Sequence, residues 1–289
     1  MINKYEFKRD IYYQVLNAPD ERAVVFLYGA RNTGKTICLK QLADFLPDAE
    51  YYDFKSMEML ECFSLAHRIE DCVKAREPRT FLIDNPAYLV QCDSVIEGLE
   101  YAFDELFDLD ENALGGTRVV FAGGPPKAMR YWANKYFGDF AWQIVSDFPD
   151  YHEWLRFYGA ADTPENHERF LSGENGLNAD FISFDGFLNG CLEESRVADS
   201  NAMNIIFGNE SDLLDARTLK AILLAVLAEE LDEKLVKNAA VSEYLNVFAA
   251  LPPETRKQGH DFLGQWGLIT LPNPRVSHPF IRAKLFEQI

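Results

Sequence analysis

The sequence lacks the features that mark secreted, zinc-binding and membrane-spanning proteins. Its five cysteines never form a C-x-x-C pair and have no clustered histidine partners, so we expect reduced thiols without a zinc site or a disulfide framework. No apolar run approaches the length of a membrane span, and the first ten residues show neither an apolar core nor a cleavage site. These absences predict a cytoplasmic protein with no membrane partner.

Positive charge is also scarce. The 28 Lys and Arg residues are outnumbered by 46 Asp and Glu residues, which gives a formal net charge of −18. Nucleic-acid affinity rests on cationic contacts to phosphate, so we do not expect a nucleic-acid partner. Residues 251–289 are an exception, with five basic and three acidic residues, and a solvated helix surface is the favoured explanation.

Over residues 1–160, short apolar runs alternate with stretches of helical periodicity. Alternating strands and helices imply an α/β fold with a parallel sheet covered on both faces. The predicted strands lie at 24–28, 50–54, 81–84, 118–122 and 142–145. The predicted helices lie at 37–45, 57–74, 95–106 and 127–136.

Residues 161–289 follow a different pattern and are predicted to form a second domain. The stretch 161–178 is polar and loop-like at its centre. Helices are predicted at 181–192, 212–237, 241–250 and 254–265, with a hairpin around 272–274 and a last helix from near Pro279. Two helices followed by a hairpin outline a winged helix.

A phosphate-binding motif stands between the first predicted strand and the first predicted helix. The stretch YGARNTGKT, residues 28–36, fits the P-loop pattern G-x-x-x-x-G-K-[ST]. Its glycines permit a tight loop of inward N–H groups, and the helix N-terminus adds positive potential. Lys35 is predicted to reach the β- and γ-phosphates. The predicted nucleotide-binding residues are Gly29, Arg31, Asn32, Thr33, Gly34, Lys35 and Thr36.

The metal side of such a site needs an acid at the tip of a buried strand, and Asp84 follows the apolar run Phe81–Ile83. We predict that Thr36 and Asp84 hold Mg²⁺. A cap for the following helix is the structural alternative for Asp84. The spacing suits a sheet of order 5-1-4-3-2, in which ligands bind at the carboxyl ends of the strands. No Asn-Lys-x-Asp element marks a GTPase, so ATP is the favoured nucleotide.

With these motifs in place, the sequence resembles prokaryotic P-loop ATPases of the AAA/STAND superfamily, in particular the archaeal-type ATPase family. The segments that carry the resemblance are KRDIYYQVL (8–16), VVFLYGARNTGKTICLKQL (24–42), FLIDNP (81–86), RVVFAGG (118–124) and VSDFPDYHEWLRFYG (145–159). Pro149, Tyr151 and Glu153 match a motif that follows the family's fifth strand. The resemblance implies a P-loop ATPase domain over 1–160 and a helical lid with a winged-helix-like part over 161–289.

Three departures from the family concern hydrolysis. The family has Asp-Glu where this chain has Asp84-Asn85, and Thr-Gly-Ser where it has residues 122–124, Ala-Gly-Gly. An arginine before the fifth strand is also absent. The resemblance places Asp84 and Asn85 at the catalytic centre, but an asparagine can only position a water and cannot take its proton. We therefore expect an ATP–Mg²⁺-binding switch with weak or absent hydrolysis that relays its nucleotide state to a protein partner.

Three other functions remain open. An active ATPase would draw its base from Asp53, Asp93 or Glu97, or from a neighbouring subunit of a homo-oligomer. A P-loop phosphotransferase would need an arginine-rich lid, and residues 161–250 are acidic instead. A scaffold would keep the fold and use no nucleotide.

Five further residues are weaker candidates. His278, in the predicted hairpin, would contact a phosphate if the C-terminal part folded over the site, although an ordinary surface histidine is the simpler interpretation. The aromatic residues around the N-terminal helix are candidates for stacking on a base, and packing explains them equally well. They are Tyr5, Phe7, Tyr12 and Tyr13.

Overall fold

The structure is a computed structural model that describes residues 5–19, 23–88, 96–98, 100, 116–173, 183–201, 214–228 and 238–286. Five parallel strands form its main sheet: β1 (Val24–Gly29), β2 (Ala49–Asp53), β3 (Thr80–Asp84), β4 (Arg118–Gly123) and β5 (Ala141–Ser146). Their spatial order is β2-β3-β4-β1-β5, which confirms the predicted order. Every strand end lies within one residue of its prediction.

The N-terminal helices are α1 (Asp10–Leu16), α2 (Lys35–Phe45), α3 (Met59–Ala75), α4 (Pro126–Trp132) and α5 (Tyr151–Tyr158). A π-helical turn at Ala133–Phe137 prolongs α4, as the longer predicted helix suggested. Of the predicted helix at 95–106, only 96–98 and 100 are described, and they are helical. The rest of that prediction lies outside the described residues.

The C-terminal elements are α6 (Pro164–Leu171), α7 (Phe184–Asn201), α8 (Ala216–Ala228), α9 (Ala239–Ala250), α10 (Pro253–Gln265), the hairpin β6 (Ile269–Thr270) and β7 (Arg275–Val276), and α11 (Pro279–Phe286). They confirm two helices, a hairpin and a last helix in the predicted order. Helix α8 falls within the helix predicted at 212–237, whose two ends lie outside the described residues.

Two C-terminal helices differ from their predictions. Helix α6 was not predicted, and it begins where the Thr163 hydroxyl accepts a hydrogen bond from the Asn166 backbone N–H at 3.2 Å. Helix α7 continues to Asn201, beyond the predicted end at residue 192. It continues because buried positions recur at helical spacing through Ser195 and Ala198.

The buried side chains show how the C-terminal helices meet the sheet. Strands β1 and β3 are buried along their whole length, as expected for the middle of a sheet covered on both faces. A separate apolar cluster joins α7, α8, α10 and α11 around Trp266, which is almost fully buried. That cluster also contains Ala30 and Phe148, from the loops after β1 and β5. The C-terminal helices therefore pack onto the carboxyl edge of the sheet.

Membrane-spanning helices and disulfides were both unexpected from the sequence, and the described residues bear on each. None of the described helices is long and apolar enough to cross a membrane. The four described cysteines are buried and form no disulfide: Cys38, Cys62, Cys72 and Cys191.

Candidate functional site

The candidate site lies where the parallel strands end. In the sheet register Gly29 lies opposite Ser146, while Asp84 lies opposite both Asp53 and Ala122. The P-loop and the acidic strand ends therefore share one edge of the sheet, as expected for ligand sites in open α/β sheets.

A cavity of about 300 Å³ opens at this edge. It is lined by eight of the predicted site residues: Arg31, Asn32, Thr33, Gly34, Lys35, Thr36, Asp84 and Asn85. Gly29 lies next to the lining and accepts a hydrogen bond from Lys35 Nζ through its carbonyl. Five further residues complete the wall: Ile37, Lys55, Gly123, Gly124 and Glu194. Gly123 and Gly124 belong to the altered Ala-Gly-Gly segment, whereas Ile37, Lys55 and Glu194 were not predicted as site residues.

The P-loop begins at a point where only glycine fits. A Cβ on Gly29 would lie 2.1 Å from the carbonyl oxygen of Ser146, and the backbone there has a φ of +148°. Beyond it, the buried Thr33 hydroxyl donates to the Ala30 carbonyl at 2.8 Å and accepts from the Ser146 hydroxyl at 2.9 Å. These contacts tie the loop to the end of β5 and fix its shape.

Lys35 is a half-buried cation of the loop. Its Nζ donates to the carbonyl of Gly29 at 3.0 Å and to that of Ala30 at 2.6 Å. Burial lowers the pKa of Lys35 to about 8, although the nearby carboxylates of Glu194 and Asp84 oppose the change. A half-buried ammonium group whose charge is this costly is suited to bind an anion in the cavity.

An ion pair between Arg9 and Glu153 holds the P-loop through the Thr33 carbonyl. The Arg9 guanidinium donates to the Thr33 carbonyl, and it binds the Glu153 carboxylate through Nε at 3.2 Å and Nη2 at 2.6 Å. Glu153 lies in the first turn of α5, and its side chain is only 5% exposed. In the sequence, Glu153 matches a family motif that by itself assigns it no role. Its position makes it a support for the P-loop through Arg9.

Asp84 has the surroundings that a divalent cation needs. Its Oδ2 accepts a hydrogen bond from the Tyr51 hydroxyl at 2.9 Å. Burial raises the pKa of Asp84, and the Thr36 and Tyr51 hydroxyls counter part of that rise. Its buried Oδ1 has no hydrogen-bond partner of normal geometry within the described part of the chain. An unpaired buried carboxylate oxygen is costly, and a bound cation would satisfy it.

The donors at this point suit Mg²⁺. Across the described ranges, no three or more His, Cys, Asp or Glu side chains gather as a ready-made metal site. Mg²⁺ keeps several of its waters and is usually held by one or two carboxylates and the phosphates of its ligand. Thr36 and Asp84 both line the cavity and fit that role.

Asn85 adopts a conformation that its residue type tolerates. Its φ is +57°, in the left-handed region, where asparagine is among the least strained residues after glycine. Its side-chain Nδ2 donates to Asp53 Oδ1 at 2.9 Å. Asp53, one of the alternative bases, therefore lies beside Asn85, although it is not part of the cavity wall.

Glu194 is the functional candidate that sequence reasoning missed. It lies on α7, and its Oε1 is 2.8 Å from Nη1 of Arg31 in the P-loop. Burial raises the pKa of Glu194, whereas the Arg31, Lys35 and Lys55 cations counter the rise. Glu194 lies within residues 161–289, for which the family resemblance implies a helical lid, but nothing in that stretch indicated which of its acids would reach the loop.

The remaining candidates lie elsewhere. His278 Nε2 is 2.9 Å from the Pro149 carbonyl and its Nδ1 accepts from the Phe280 backbone N–H, so both ring nitrogens are engaged away from the cavity. Glu97 is exposed and does not line the cavity, and Asp93 lies outside the described residues. Of the N-terminal aromatics, Phe7 and Tyr12 are buried, Tyr5 and Tyr13 are exposed, and none lines the cavity.

The fold agrees with that of a known ATPase. The chain is similar to the solved structure of a Walker-type ATPase of Pyrococcus abyssi, with 14% identity and a TM-score of 0.56 over 97% of this chain and 96% of that chain. It is also similar to an ORC2 protein of Aeropyrum pernix, with 9% identity and a TM-score of 0.44 over 96% and 92% of the two chains. That second score is too low to support an argument.

No family model and no curated protein matches the sequence. At 14% identity, the Pyrococcus structure shows the fold alone. Together with the strand order and the position of the glycine loop, it shows that this chain has the P-loop NTPase fold. The predicted fold class is confirmed.

Proposed function

We propose that this protein is an ATP–Mg²⁺-binding switch that hydrolyses ATP slowly or not at all and relays its nucleotide state to a protein partner. The observation that carries the proposal is the ion pair between Arg31 in the P-loop and Glu194 on α7. It joins the phosphate cavity directly to the C-terminal helices.

Nucleotide binding is supported by the residues that line the cavity. Lys35 and Arg31 supply positive charge for the phosphates, and the N-terminus of α2 adds its backbone N–H groups. Thr36 and Asp84 would hold Mg²⁺, which neutralises phosphate charge when bound. Residues 1–160 are in this proposal the nucleotide-binding domain.

Slow hydrolysis is supported by the residues Asn85, Gly123 and Gly124, which line the cavity. Asn85 offers an amide, and that amide is hydrogen-bonded to Asp53. Gly123 and Gly124 at the end of β4 offer no hydroxyl to a terminal phosphate. Loss of a general base typically slows such a reaction by a factor on the order of 10² to 10⁴.

The relay is assigned to residues 161–289. Helix α7 packs on α8, and both belong to the apolar cluster that includes Trp266 and Phe280. A movement of Arg31 when phosphate binds would change its pairing with Glu194 and so act on this cluster. The helices α9 and α10 with the β6–β7 hairpin form the proposed winged-helix-like part. A protein surface is the proposed partner because the net charge of −18 disfavours nucleic acid.

Hydrogen exchange tests the relay directly. Exchange of the α7 amides is measured without nucleotide, with Mg-ADP and with a non-hydrolysable Mg-ATP analogue. We expect the two nucleotides to give different protection of α7, and we expect Lys35→Ala to remove both effects. If both nucleotides bind and protection of α7 is identical in the two states, the switch function is wrong.

One observation favours a second candidate function, an active ATPase with Asp53 as its base. Asn85 lines the cavity, and its side chain donates a hydrogen bond to Asp53 Oδ1. The Asp53 carboxylate therefore lies directly behind a residue of the cavity wall. In that case wild-type protein would turn over rapidly, and Asp53→Asn would slow phosphate release by at least about 100-fold.

A further inference from the structure

A carboxylate from the C-terminal helices lies inside the phosphate cavity. Glu194 on α7 lines the cavity together with the P-loop, and its side chain is only 14% exposed. Its Oε1 pairs with Nη1 of Arg31 at 2.8 Å. Neither magnesium binding nor the support of the loop requires an acid at this place, so the carboxylate needs a separate explanation.

Two glycines make the space for this ion pair. A Cβ on Gly124 would lie 2.8 Å from Oε2 of Glu194, and a Cβ on Gly190 would lie 2.5 Å from Nη1 of Arg31. Gly190 and Glu194 are four residues apart on α7 and so share one face of the helix. Gly124 ends the segment where the family resemblance implies a hydroxyl side chain. In this chain the Glu194 carboxylate lies against that position instead.

We propose that Glu194 is a specificity-determining residue that competes with the third phosphate of ATP for Arg31, so that the cavity favours a nucleoside diphosphate. This inference rests on the proposed function and specifies how the same site is regulated. A diphosphate leaves the Arg31–Glu194 pair in place. A triphosphate must displace the carboxylate, and that displacement moves α7.

The charges around the cavity support this competition. Arg31, Lys35 and Lys55 contribute positive charge, whereas Asp84 and Glu194 are the carboxylates among the described lining residues. Mg²⁺ would offset Asp84, which leaves the Glu194 charge facing the phosphates. Like charges in a partly buried site repel each other far more strongly than in bulk water. Each additional phosphate charge is therefore opposed by Glu194 until its carboxylate moves away.

Calorimetric titration of Mg-ADP and of a non-hydrolysable Mg-ATP analogue tests the inference. The proteins are the wild type, Glu194→Gln, Glu194→Ala and the control Glu193→Gln. Glutamine keeps the shape of the side chain and removes its charge. Glu193 is the exposed neighbour of Glu194 on α7, so its variant controls for the loss of one negative charge nearby.

Wild-type protein should bind the diphosphate more tightly than the triphosphate. Both Glu194 variants should bind the triphosphate at least about tenfold more tightly, with diphosphate affinity changed less than about threefold. Glu193→Gln should leave the ratio of the two affinities at the wild-type value. If both Glu194 variants bind both nucleotides with the wild-type ratio of affinities, the inference about Glu194 is overturned and the proposed function is not. Failure of every protein to bind either nucleotide would overturn the proposed function as well.

Catalytic participation is the remaining outcome. If Glu194→Gln slows phosphate release from ATP while the ratio of affinities is unchanged, Glu194 is the acceptor of the water proton. That result would also overturn the inference.

Discussion

The side-chain amide of Asn85 donates a hydrogen bond to the carboxylate of Asp53, with 2.9 Å between Nδ2 and Oδ1. Asp53 ends β2, and Asn85 follows β3, its parallel neighbour, at the sheet edge where the cavity opens. An acid and an amide are therefore paired here, with the amide on the cavity side. The resemblance to ATPases implies a glutamate at position 85. A glutamate introduced there would lie beside the Asp53 carboxylate, so the effect of the substitution depends on Asp53.

We predict that exchanging the two groups accelerates hydrolysis more than restoring the glutamate alone. Asn85→Glu by itself places two carboxylates side by side, whereas the strain of a glutamate at a φ of +57° is common to the single and double variants. The double variant Asp53→Asn/Asn85→Glu keeps an acid–amide pair and moves the acid to the cavity wall. Phosphate release should rise on the order of tenfold in the double variant and less in the single one.

Asp53→Asn alone is the control for this exchange, because it removes the acid without supplying a new one. Nucleotide affinity should be measured in each protein, so that a change of rate is not mistaken for a change of binding. Equal rates in all four proteins, with binding intact, would place the defect elsewhere in the site.

Lys35→Ala should abolish nucleotide binding without unfolding the protein. Among the described residues, the side chain donates only to acceptors of its own loop, at Gly29, Ala30 and Thr33, and its amine has a lowered pKa. Its loss therefore removes phosphate binding rather than core packing. A fluorescent ATP analogue measures affinity, and circular dichroism on heating measures folding. If the folded Lys35→Ala variant binds the ATP analogue with undiminished affinity, the assignment of the P-loop as the nucleotide-binding site is wrong.

Nucleotide affinity should fall as pH rises above about 8, where Lys35 loses its proton in the nucleotide-free protein. Bound phosphate favours the charged amine and raises its pKa, so binding above pH 8 requires uptake of a proton. The affinity should decrease by up to about tenfold per pH unit between the free and bound pKa values. Lys35→Arg stays charged throughout this range and serves as the comparison. A flat profile for the wild type would contradict the prediction.

Asp84→Asn should weaken the magnesium dependence of binding more than binding itself. The Oδ1 atom of Asp84 is buried and has no hydrogen-bond partner of normal geometry in the described part of the chain, and an amide is a poor replacement for a carboxylate near Mg²⁺. ATP affinity is measured with magnesium and with a chelator present. An equal loss of affinity under both conditions would assign Asp84 a purely structural role.

Glu153→Gln should destabilise the protein and weaken nucleotide binding, although Glu153 does not line the cavity. The substitution leaves the Arg9 guanidinium, only 12% exposed, without its charged partner. We expect the free energy of unfolding to fall by about 3 kcal/mol, since breaking a buried ion pair costs more than breaking an exposed one.

The matched control for this change is Glu243→Gln, which breaks the exposed pair of Arg217 and Glu243. Its free energy of unfolding should change by less than about 1 kcal/mol. Urea unfolding of both variants gives the comparison, and similar effects at the two positions would show that the Arg9–Glu153 pair has no special role.

The sheet and the P-loop could be predicted because their signals are local. The apolar run at 24–28 is followed at once by the glycine loop, and the apolar run before Asp84 indicates a buried strand whose acid lies at the same edge. The strand order followed from the spacing of these two motifs. Such features depend on residues close together in the chain.

The rest of the site depends on contacts between distant segments. Glu194 lies 163 residues after Arg31, and only the packing of α7 on the loop brings the two together. The Arg9–Glu153 pair spans 144 residues in the same way. Helix α6 has a local signal, Thr163 followed by Pro164, which a polar composition obscured. Charged residues at helix surfaces are common, so the sequence alone could not single out these pairs.

The most direct test of the central proposal is the rate of phosphate release from ATP by the wild-type protein. It is measured at a saturating concentration of Mg-ATP, with the rate of Lys35→Ala subtracted as background. A slow switch predicts bound ATP and a rate far below about one per second, the low end for ordinary enzymes. A rate of about one per second or faster would contradict the proposal and identify the protein as an active ATPase.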